Sequence, residues 1–435
     1  MLQFLILLTI GLLWMDILPR LETKAKTASH YRGLAPQRFT GWAGSHANVT
    51  DGKSSGRTIM TTKDTFNRFG EISEFTSASE EHCRYKIQLY DVRGALVKGK
   101  GNSFHFNRIL KNLTAGVPCD RNCTVEVVFG NEKNNFTGMD AVVFHIFMNS
   151  VPSHGLPAVM NPDQAWVFCS WESPRTSVFP GRKEPKLTGL TANAVWTYHR
   201  ASEITTPYGF YKPGVPMTHE AKTSDEWVQG KTKVALWVAS NCGVTSWPRL
   251  SFVRKLQRYI PLDIYGRCGN LTCRPRTSPK CTVDLVRKYK FYLALENSEC
   301  EDYITEKAWE KPLMQGVVPI VYGARREDYE NLLPPNSFIY VGDFKDMEKL
   351  ADYLKMLDRH PDLYSKYFEW RYKGNVIYTG AMYKTFDPSR LCHLIPVIEK
   401  VRRGELQRKP VLSSDFFQTC RKEPFLGKGL RWDPW

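Results

Sequence analysis

The chain has 435 residues, of which 42% are hydrophobic and 24% are charged, and its formal net charge is +16. This length and apolar content suffice for two domains of ordinary size and exclude an intrinsically disordered protein. The basic charge is spread along the chain without any nucleic-acid-reading motif. It therefore favours contact with an anionic membrane or an anionic substrate over contact with DNA or RNA.

The N-terminus begins with an apolar segment, MLQFLILLTIGLLWMDILPR. Its apolar run is close to the ~20 residues that cross a bilayer, so residues 1–19 are predicted to be a membrane anchor or a cleaved signal peptide. A core segment or a misassigned start codon is the alternative. No Lys or Arg precedes the run and three basic residues follow it, so charge gives no support to a cytosolic N-terminus. Residues 20–80, rich in Ser, Thr, Gly and Lys, are predicted to be a flexible stem.

Eleven cysteines and several Asn-x-Ser/Thr sequons fit the oxidising secretory lumen that the apolar start predicts. The spacing of Cys268, Cys273 and Cys281 is wider than the C-x2-C pair of a zinc site, so disulfide bonds are predicted here and at Cys300. The pairing stays open, and the odd total leaves at least one thiol free or intermolecular. The sequons are at Asn48, Asn112, Asn122, Asn135 and Asn270.

Short, nearly continuous apolar runs alternate with helical patterns from residue 81 onward. Such runs are typical of parallel strands buried on both faces, and they predict an α/β fold with two domains that face a cleft. A polar stretch with Pro and Gly at 212–232 marks the boundary, giving domains at 81–225 and 226–400 and a basic tail at 401–435. The predicted strands are KIQLYDV, VEVVFG, DAVVFHIFM, AWVFCSW, VALWVAS, LDIYG, YKFYLAL and VVPIVYG, and the clearest predicted helix is PRLSFVRKLQRYI.

Two polar residues follow the predicted strand FYLAL, residues 291–295. Ligands bind at the carboxyl ends of parallel strands, where loops lead into the next helix. Glu296 and Asn297 are therefore candidate site residues.

A helix is predicted to begin a few residues later, near Thr305, whose hydroxyl can cap it. Its first turn would carry Glu306 and Lys307, and Pro312 would kink or shorten it. Free amides at such an N-terminus, together with a Lys, would bind an anion such as a diphosphate. The alternative is that these charges form an ordinary solvated first turn.

The longer stretch at 289–344 resembles the signature region of the α1,3-fucosyltransferase family. The resembling motifs are E-N-S, D-Y-I-T-E-K, a V-P-I strand that ends in Gly, and L-P-P-x-S-F-I. The likeness extends over residues 85–395 and is densest over 230–345. Members of that family have the GT-B fold, in which GDP-fucose lies between an acceptor-side and a donor-side Rossmann-like domain.

The resemblance implies roles for the residues of this stretch. Tyr303 and Lys307 would contact the diphosphate, and Glu306 would contact the fucose and stabilise its developing positive charge. Glu296 and Asn297 would shape the same pocket. By this resemblance, the stretch is predicted to bind the sugar donor, GDP-fucose.

The segment SNCGVTSWPRLSFVRKL resembles the family's donor-domain opening, in which an Arg holds the phosphates. Arg249 is the match, with Arg254 as the weaker candidate. Cations fixed at the diphosphate lower the barrier to its departure, a part that a metal plays elsewhere. The chain contains no D-x-D pair. No cofactor or metal is expected to be required, and Mn2+ stimulation stays open.

The stretch AWVFCSWESPRTSVF places Glu172 just past a predicted strand of the first domain. Its W-E-S-P run resembles the family's E-S-P motif, which carries the proposed general base; a solvated loop glutamate is the alternative. A carboxylate is needed because an acceptor hydroxyl is a poor nucleophile until its proton is removed. One base and one departing diphosphate imply single displacement with inversion.

One region departs from the family's pattern. Where an Arg and an acidic residue follow a Tyr in the family, His199, Arg200 and Ala201 stand here, followed by Glu203. His199 is predicted to be structural. The departure leaves the acceptor uncertain, and the cysteine pattern is closer to invertebrate and plant members, some of which fucosylate the innermost GlcNAc of N-glycans.

The resemblance thus implies a single-pass type II Golgi membrane protein with a lumenal catalytic domain. It would transfer fucose from GDP-fucose to the 3-hydroxyl of a GlcNAc in the core of an N-glycan or in an N-acetyllactosamine antenna. A catalytically silent carbohydrate-binding protein of the same fold is the alternative. The stretch GALVKGKG, 94–101, has the Gly spacing of a P-loop but ends in Gly where Ser or Thr is required, which argues against a nucleotide triphosphatase.

Overall fold

The computed structural model describes residues 83–90, 116–120, 122–130, 136–145, 161–177, 187, 189–218, 222–243, 245–273, 279–380 and 388–421. The predicted anchor at 1–19, the predicted stem at 20–80 and the P-loop-like stretch at 94–101 lie outside these residues. Among the residues that it describes, no helix combines the length and the apolar character needed to cross a bilayer.

The strands alternate with helices along most of the described chain. In chain order the strands are β1 Cys83–Tyr90, β2 Val117–Cys119, β3 Cys123–Gly130, β4 Ala141–His145, β5 Ala165–Ser170, β6 Thr191–Ala192, β7 Ala194–Thr197, β8 Ile204–Thr205, β9 Gly209–Pro213, β10 Lys233–Val238, β11 Leu262–Tyr265, β12 Tyr289–Leu295, β13 Val318–Tyr322, β14 Ile339–Tyr340, β15 Gly374–Tyr378 and β16 Lys409–Pro410.

The helices are mostly short. They are α1 Pro174–Ser177, α2 Ser224–Val228, α3 Arg249–Leu256, α4 Pro279–Arg287, α5 Arg326–Leu332, α6 Met347–Arg359, α7 Pro361–Tyr364 and α8 Leu394–Arg402, with a π-helical turn at Trp309–Leu313 and 3-10 helices at Val341–Asp343, Ser365–Tyr372, Pro388–His393, Val411–Ser413 and Asp415–Gln418.

Two larger sheets organise the fold. The first has the strand order β2-β3-β1-β4-β5-β7-β8 and is parallel except for the β2–β3 pair, and the second has the order β11-β10-β12-β13-β14 and is parallel throughout. Strands β5 and β13 are buried at every residue, as expected for parallel strands covered on both faces. The predicted α/β class, the eight predicted strands and the helix beginning at Arg249 are confirmed.

The chain returns to the first sheet at its C-terminal end. The Tyr85 hydroxyl of β1 donates to Glu399 at 3.2 Å, and Asn193 Nδ2, just before β7, donates to the Leu406 carbonyl at 2.9 Å, while β16 pairs with β6 in a separate two-stranded sheet. Helix α8 therefore contacts the first sheet, although residues up to 400 were assigned by sequence to the second domain. The predicted boundaries at 225 and 400 stay predictions.

Disulfide bonds cross-link distant parts of the chain, and the prediction of disulfides at Cys268, Cys273 and Cys300 is confirmed. Cys169 is a free thiol, fully buried in β5. A free thiol is one of the two outcomes that the odd cysteine total allows. The bonds between described residues are Cys83–Cys123, Cys119–Cys392, Cys242–Cys268 and Cys300–Cys420.

The helix predicted to begin near Thr305 is wrong. Residues 306–308 form a turn, and a single π-helical turn follows at Trp309–Leu313 with Pro312 inside it. The Thr305 hydroxyl lies 2.9 Å from both carboxylate oxygens of Glu296 instead of capping helix amides. A buried carboxylate competes successfully for that hydroxyl, so the predicted anion site at a helix N-terminus is absent here.

Candidate active site

The candidate site lies where the segments after β5 and β12 meet. Glu172 follows β5, and Glu296 and Asn297 follow β12. Beside them, Ser173 Oγ donates to Ser298 Oγ at 2.7 Å, and both residues are buried. The carboxyl ends of one strand from each sheet therefore meet, which is where a ligand is expected in parallel α/β folds.

Glu172 is a half-buried carboxylate that accepts hydrogen bonds from the segment that follows β12 of the second sheet. The Tyr303 hydroxyl donates to its Oε2 at 3.0 Å, and the Asn297 side chain also donates to it. Burial raises the pKa of Glu172 above its ordinary value, while Lys307 and these two hydrogen bonds lower it in part. A carboxylate with a raised pKa at such a junction is suited to accept a proton near neutral pH.

Glu296 forms the buried centre of the site. Its carboxylate accepts the Thr305 amide at 2.8 Å, the Thr305 hydroxyl at 2.9 Å and Lys307 Nζ at 3.0 Å. Burial raises the pKa of Glu296, and the nearby Lys307 charge opposes that rise. The residue predicted to shape the pocket therefore also fixes the position of Lys307.

Lys307 is surrounded by oxygen atoms. Besides Glu296, its Nζ lies 2.7 Å from the Thr305 hydroxyl and 3.3 Å from Glu306 Oε1. Burial acts to lower the pKa of Lys307, but the two carboxylates outweigh it and the pKa is raised. Lys307 keeps 21% of its side chain exposed and Glu306 keeps 33%, so a charged ligand can reach both.

Glu306 stays ionised beside this cation. Burial acts to raise its pKa, but the Lys307 charge and local hydrogen bonds outweigh burial and the pKa of Glu306 is lowered. A carboxylate that stays charged can stabilise positive charge that develops on a bound substrate.

Arg249 lies at the first residue of α3 and is 3% exposed. Its Nη1 donates to the Leu295 carbonyl at 3.0 Å and its Nη2 to the Asn241 carbonyl at 2.8 Å, while its Nε has no hydrogen-bond partner among the described residues. Burial lowers the pKa of Arg249. The weaker candidate, Arg254, is exposed on the same helix.

Tyr303 is placed against Glu172 by a cluster of aromatic rings. It is 1% exposed, and its ring centroid lies 5.0 Å from Tyr198 and 6.5 Å from Tyr208. Burial raises its pKa well above the ordinary value, so the hydroxyl stays a donor at any working pH. Its predicted contact with the diphosphate stays a prediction.

A charged cluster beside Tyr303 went unrecognised in the sequence. Arg200 donates through Nε to both Asp302 oxygens at 3.0 and 2.8 Å, its backbone amide donates to Asp302 at 2.9 Å, and its Nη2 donates to Asp328 at 2.6 Å. Arg200, in the region that departs from the family's pattern, thus bridges two buried carboxylates, Asp302 and Asp328. The partners are 102 and 128 residues away, so no local signal could have revealed them.

The neighbouring His199 is structural in its contacts. Its Nδ1 accepts the Ala201 amide at 3.2 Å, and its buried Nε2 has no hydrogen bond within the described residues. Burial lowers the pKa of His199, which keeps the ring neutral near pH 7. Glu203, four residues further along the chain, accepts the Val195 amide of β7 at 2.8 Å and so stabilises the first sheet.

No group of three or more His, Cys, Asp or Glu side chains arranged for metal binding occurs in the described part of the chain. The fold and the side chains above define an α/β protein with a charged, half-buried site between two parallel sheets. Two family profiles match the chain: "Glycosyltransferase family 10 (fucosyltransferase) C-term" over residues 228–411 and "Fucosyltransferase, N-terminal" over residues 99–209.

Curated relatives show the same likeness. The chain is 42% identical over 221 residues to "Glycoprotein 3-alpha-L-fucosyltransferase A" of Drosophila melanogaster, covering 51% of this chain and 42% of the relative. It is 37% identical over 222 residues to "Alpha-(1,3)-fucosyltransferase fut-1" of Caenorhabditis elegans, covering 51% and 49%. A Pan troglodytes relative, "3-galactosyl-N-acetylglucosaminide 4-alpha-L-fucosyltransferase FUT3", is 34% identical over 62% of this chain and 68% of its own length.

The chain therefore belongs to glycosyltransferase family 10, the fucosyltransferases. It spans about half the length of the fly and nematode relatives that it matches. A solved structure titled "Crystal Structure of alpha1,3-Fucosyltransferase with GDP" superposes with a TM-score of 0.45 and 16% identity, over 75% of this chain and 94% of that one.

Proposed function

We propose that the protein is an inverting α1,3-fucosyltransferase that transfers L-fucose from GDP-β-L-fucose to the 3-hydroxyl of a GlcNAc residue in glycoprotein glycans. Family membership supports the reaction class, and the names of the fly and nematode relatives support the sugar and the linkage. The observation that carries the proposal is Glu172, a half-buried carboxylate with a raised pKa that lies beside Lys307 at the junction of the two sheets.

In the proposed reaction, Glu172 accepts the proton of the acceptor hydroxyl as its oxygen bonds to the anomeric carbon of fucose. The bond from that carbon to the diphosphate breaks on the opposite face, and GDP leaves. The β-linked donor becomes an α-linked product. Glu306 stabilises the positive charge that develops on the sugar, while Lys307 and Arg249 stabilise the negative charge on the diphosphate.

The pH dependence follows from the base. Glu172 must be ionised to accept a proton, and burial raises its pKa above 4.5. Transfer should therefore fall as the pH drops through that raised value.

The remaining parts of the proposal are the GT-B fold, GDP-fucose and a glycoprotein N-glycan as substrates, and a single-pass type II orientation in the Golgi membrane. Four disulfide bonds between described residues and the exposed sequons at Asn122 and Asn270 support an oxidising secretory compartment. No metal is required in this proposal, because two protein cations act on the diphosphate; Mn2+ would act only as an additional counter-charge.

The test is mass spectrometry of defined acceptors after incubation of the full chain with GDP-fucose and EDTA. The panel includes an agalacto N-glycan and N-acetyllactosamine. A gain of one fucose supports the proposal, and the acceptor that gains it distinguishes the N-glycan core from antennae. Normal GDP-fucose binding with no gain on any acceptor, repeated with Mn2+, would instead support a silent binding protein.

Glu172→Gln tests the base within the same assay. The amide preserves shape but accepts no proton at working pH, so transfer should fall by about 100-fold or more while GDP affinity stays near that of the parent. Isothermal titration with GDP provides the binding control. Turnover equal to that of the parent would remove Glu172 from the mechanism.

A further inference from the structure

We infer that Tyr303 is a positioning residue for the base. Its hydroxyl, in the segment that follows β12 of the second sheet, orients the Glu172 carboxylate toward the acceptor. This inference rests on the proposed function. It differs from the diphosphate contact that the family resemblance implies for the same residue. The two roles predict different kinetic consequences.

The hydrogen bond has the geometry of a fixed orienting contact. The Tyr303 hydroxyl lies 3.0 Å from Glu172 Oε2, and Asn297 supplies a second donor to the same carboxylate. The Tyr303 side chain is 1% exposed, so water does not compete for its hydroxyl. A bond from a buried neutral donor to a carboxylate is charge-assisted and stronger than a bond between neutral groups.

The ring has little freedom to move toward another ligand. Tyr198 packs against it with ring centroids 5.0 Å apart at 46°, and Tyr208 meets it edge-on at 81°. Tyr208 is itself anchored, since its hydroxyl donates to the Trp171 carbonyl immediately before Glu172. Tyr208 thus contacts both the Tyr303 ring and the backbone that carries the base.

The backbone of Tyr303 is fixed from the first sheet's half as well. The preceding residue, Asp302, has φ +57°, a left-handed conformation that is uncommon for a non-glycine residue and is held here by its surroundings. Arg200 supplies that hold through its guanidinium and its backbone amide. Cys300, three residues before Tyr303, is bonded to Cys420.

These contacts orient the Glu172 carboxylate only in the folded molecule, where the two sheets are packed together. Glu172 comes from the first sheet and its orienting donors come from the second, so the carboxylate is set only when both are packed together. Burial raises the pKa of Glu172 and the Tyr303 hydrogen bond lowers it. Removing the hydroxyl should raise that pKa and leave the carboxylate less firmly oriented, with the Asn297 side chain as a remaining donor.

The test is Tyr303→Phe in the full chain. We expect kcat to fall by about 10- to 100-fold and the acidic limb of the pH–rate profile to move to higher pH, because the hydroxyl stabilises ionised Glu172. The KM for GDP-fucose and the Kd of GDP should stay within about twofold of the parent, since only the base loses a contact.

Tyr322→Phe is the matched control. The Tyr322 hydroxyl donates to Glu299 Oε1 at 2.8 Å in the same half of the molecule, and the tyrosine is 1% exposed. This variant loses the same kind of bond without touching Glu172, so it should lose stability without moving the acidic limb. Weaker GDP binding by Tyr303→Phe with an unmoved limb would assign Tyr303 to the nucleotide and overturn the inference.

A second measurement does not depend on transfer. Titration of the Glu172 carboxyl by 13C NMR, assigned by its loss in Glu172→Gln, should show a higher pKa in Tyr303→Phe than in the parent. An unchanged titration overturns the positioning role even if the parent transfers fucose. If the Glu172 pKa is higher in Tyr303→Phe but the parent transfers no fucose, the hydrogen bond is supported and the proposed function is rejected.

Discussion

Removing Arg200 should destabilise the protein more than removing any exposed ion pair. Its guanidinium bonds Asp302, which is 3% exposed, and Asp328, which is fully buried. Removing one partner of a buried ion pair costs about 3–5 kcal/mol, because the remaining charge is left without compensation. The cost of removing Arg200 should lie at the lower end of this range, because Asp328 still accepts hydrogen bonds from Arg325 at 3.0 and 3.2 Å.

Asp302 therefore sets the cost of Arg200→Ala. Among the described residues, the hydrogen-bond donor that it keeps is the residue-200 backbone amide, while His199 Nε2 lies 3.9 Å away. The expected loss is about 3 kcal/mol, which corresponds to a fall in Tm of roughly 3–5 °C for a chain of this size. The assay is thermal unfolding followed by tryptophan fluorescence.

The loss should depend on pH. Burial acts to raise the pKa of Asp302, but its bonds and charge interaction with Arg200 outweigh burial and the pKa is lowered. In the parent this stability is present above the unfolded pKa of about 3.9 and is lost as pH falls through the lowered folded value. In Arg200→Ala the buried carboxyl protonates more readily, so the difference in Tm should be largest near pH 7 and shrink toward pH 4–5.

Arg84→Ala is the matched control. Arg84 also loses an ion pair, to Glu126 at 3.2 Å, but the two side chains are 67% and 34% exposed. Such a pair contributes at most about 1 kcal/mol. Equal losses of Tm for the two variants, or an Arg200→Ala deficit that is the same at pH 5 and pH 7, would refute the buried-cluster reasoning.

Two further predictions concern the centre of the site. Lys307→Ala should weaken GDP binding by about tenfold or more and lower transfer with it, because a cation at the diphosphate is lost. Isothermal titration with GDP measures the affinity, and Lys307→Arg is the control that preserves the charge. Unchanged GDP affinity in Lys307→Ala would show that Lys307 does not bind the nucleotide. Gly323→Ala should lower both Tm and transfer, because φ is +134° there and an alanine Cβ would lie 2.5 Å from Cβ of Glu296. Gly404→Ala is the control for backbone strain alone, because φ is +73° there and an added Cβ would have nothing within 4 Å. If Gly323→Ala and Gly404→Ala lower transfer equally, the clash with Glu296 is not the cause.

The strands were readable from the sequence because their signal is local. Runs such as YKFYLAL at 289–295 and VVPIVYG at 317–323 are continuously apolar, and parallel strands covered on both faces require that pattern. The positions of Glu172, Glu296 and Asn297 followed for the same reason, since each comes directly after such a strand. Pro312 correctly indicated that no long helix continues through it.

The helix predicted at Thr305 failed because its hydroxyl had a competing partner. Nothing within the local sequence indicates that Glu296, nine residues earlier, takes that hydroxyl and Lys307 together. Capping preferences describe a helix end facing solvent, whereas here a buried carboxylate must be satisfied, and leaving it unpaired costs more than losing one helical turn.

The sequence by itself determined the α/β class, the strands, the oxidised cysteines and the types of charged residue available to the site. Only the tertiary structure decided which side chains meet: Tyr303 reaches Glu172 across 131 positions of sequence, and Arg200 reaches Asp302 across 102. The physical reason is range. Backbone propensity and apolar periodicity act over a few residues, while hydrogen bonds and ion pairs between the two sheets form only where packing brings their side chains together.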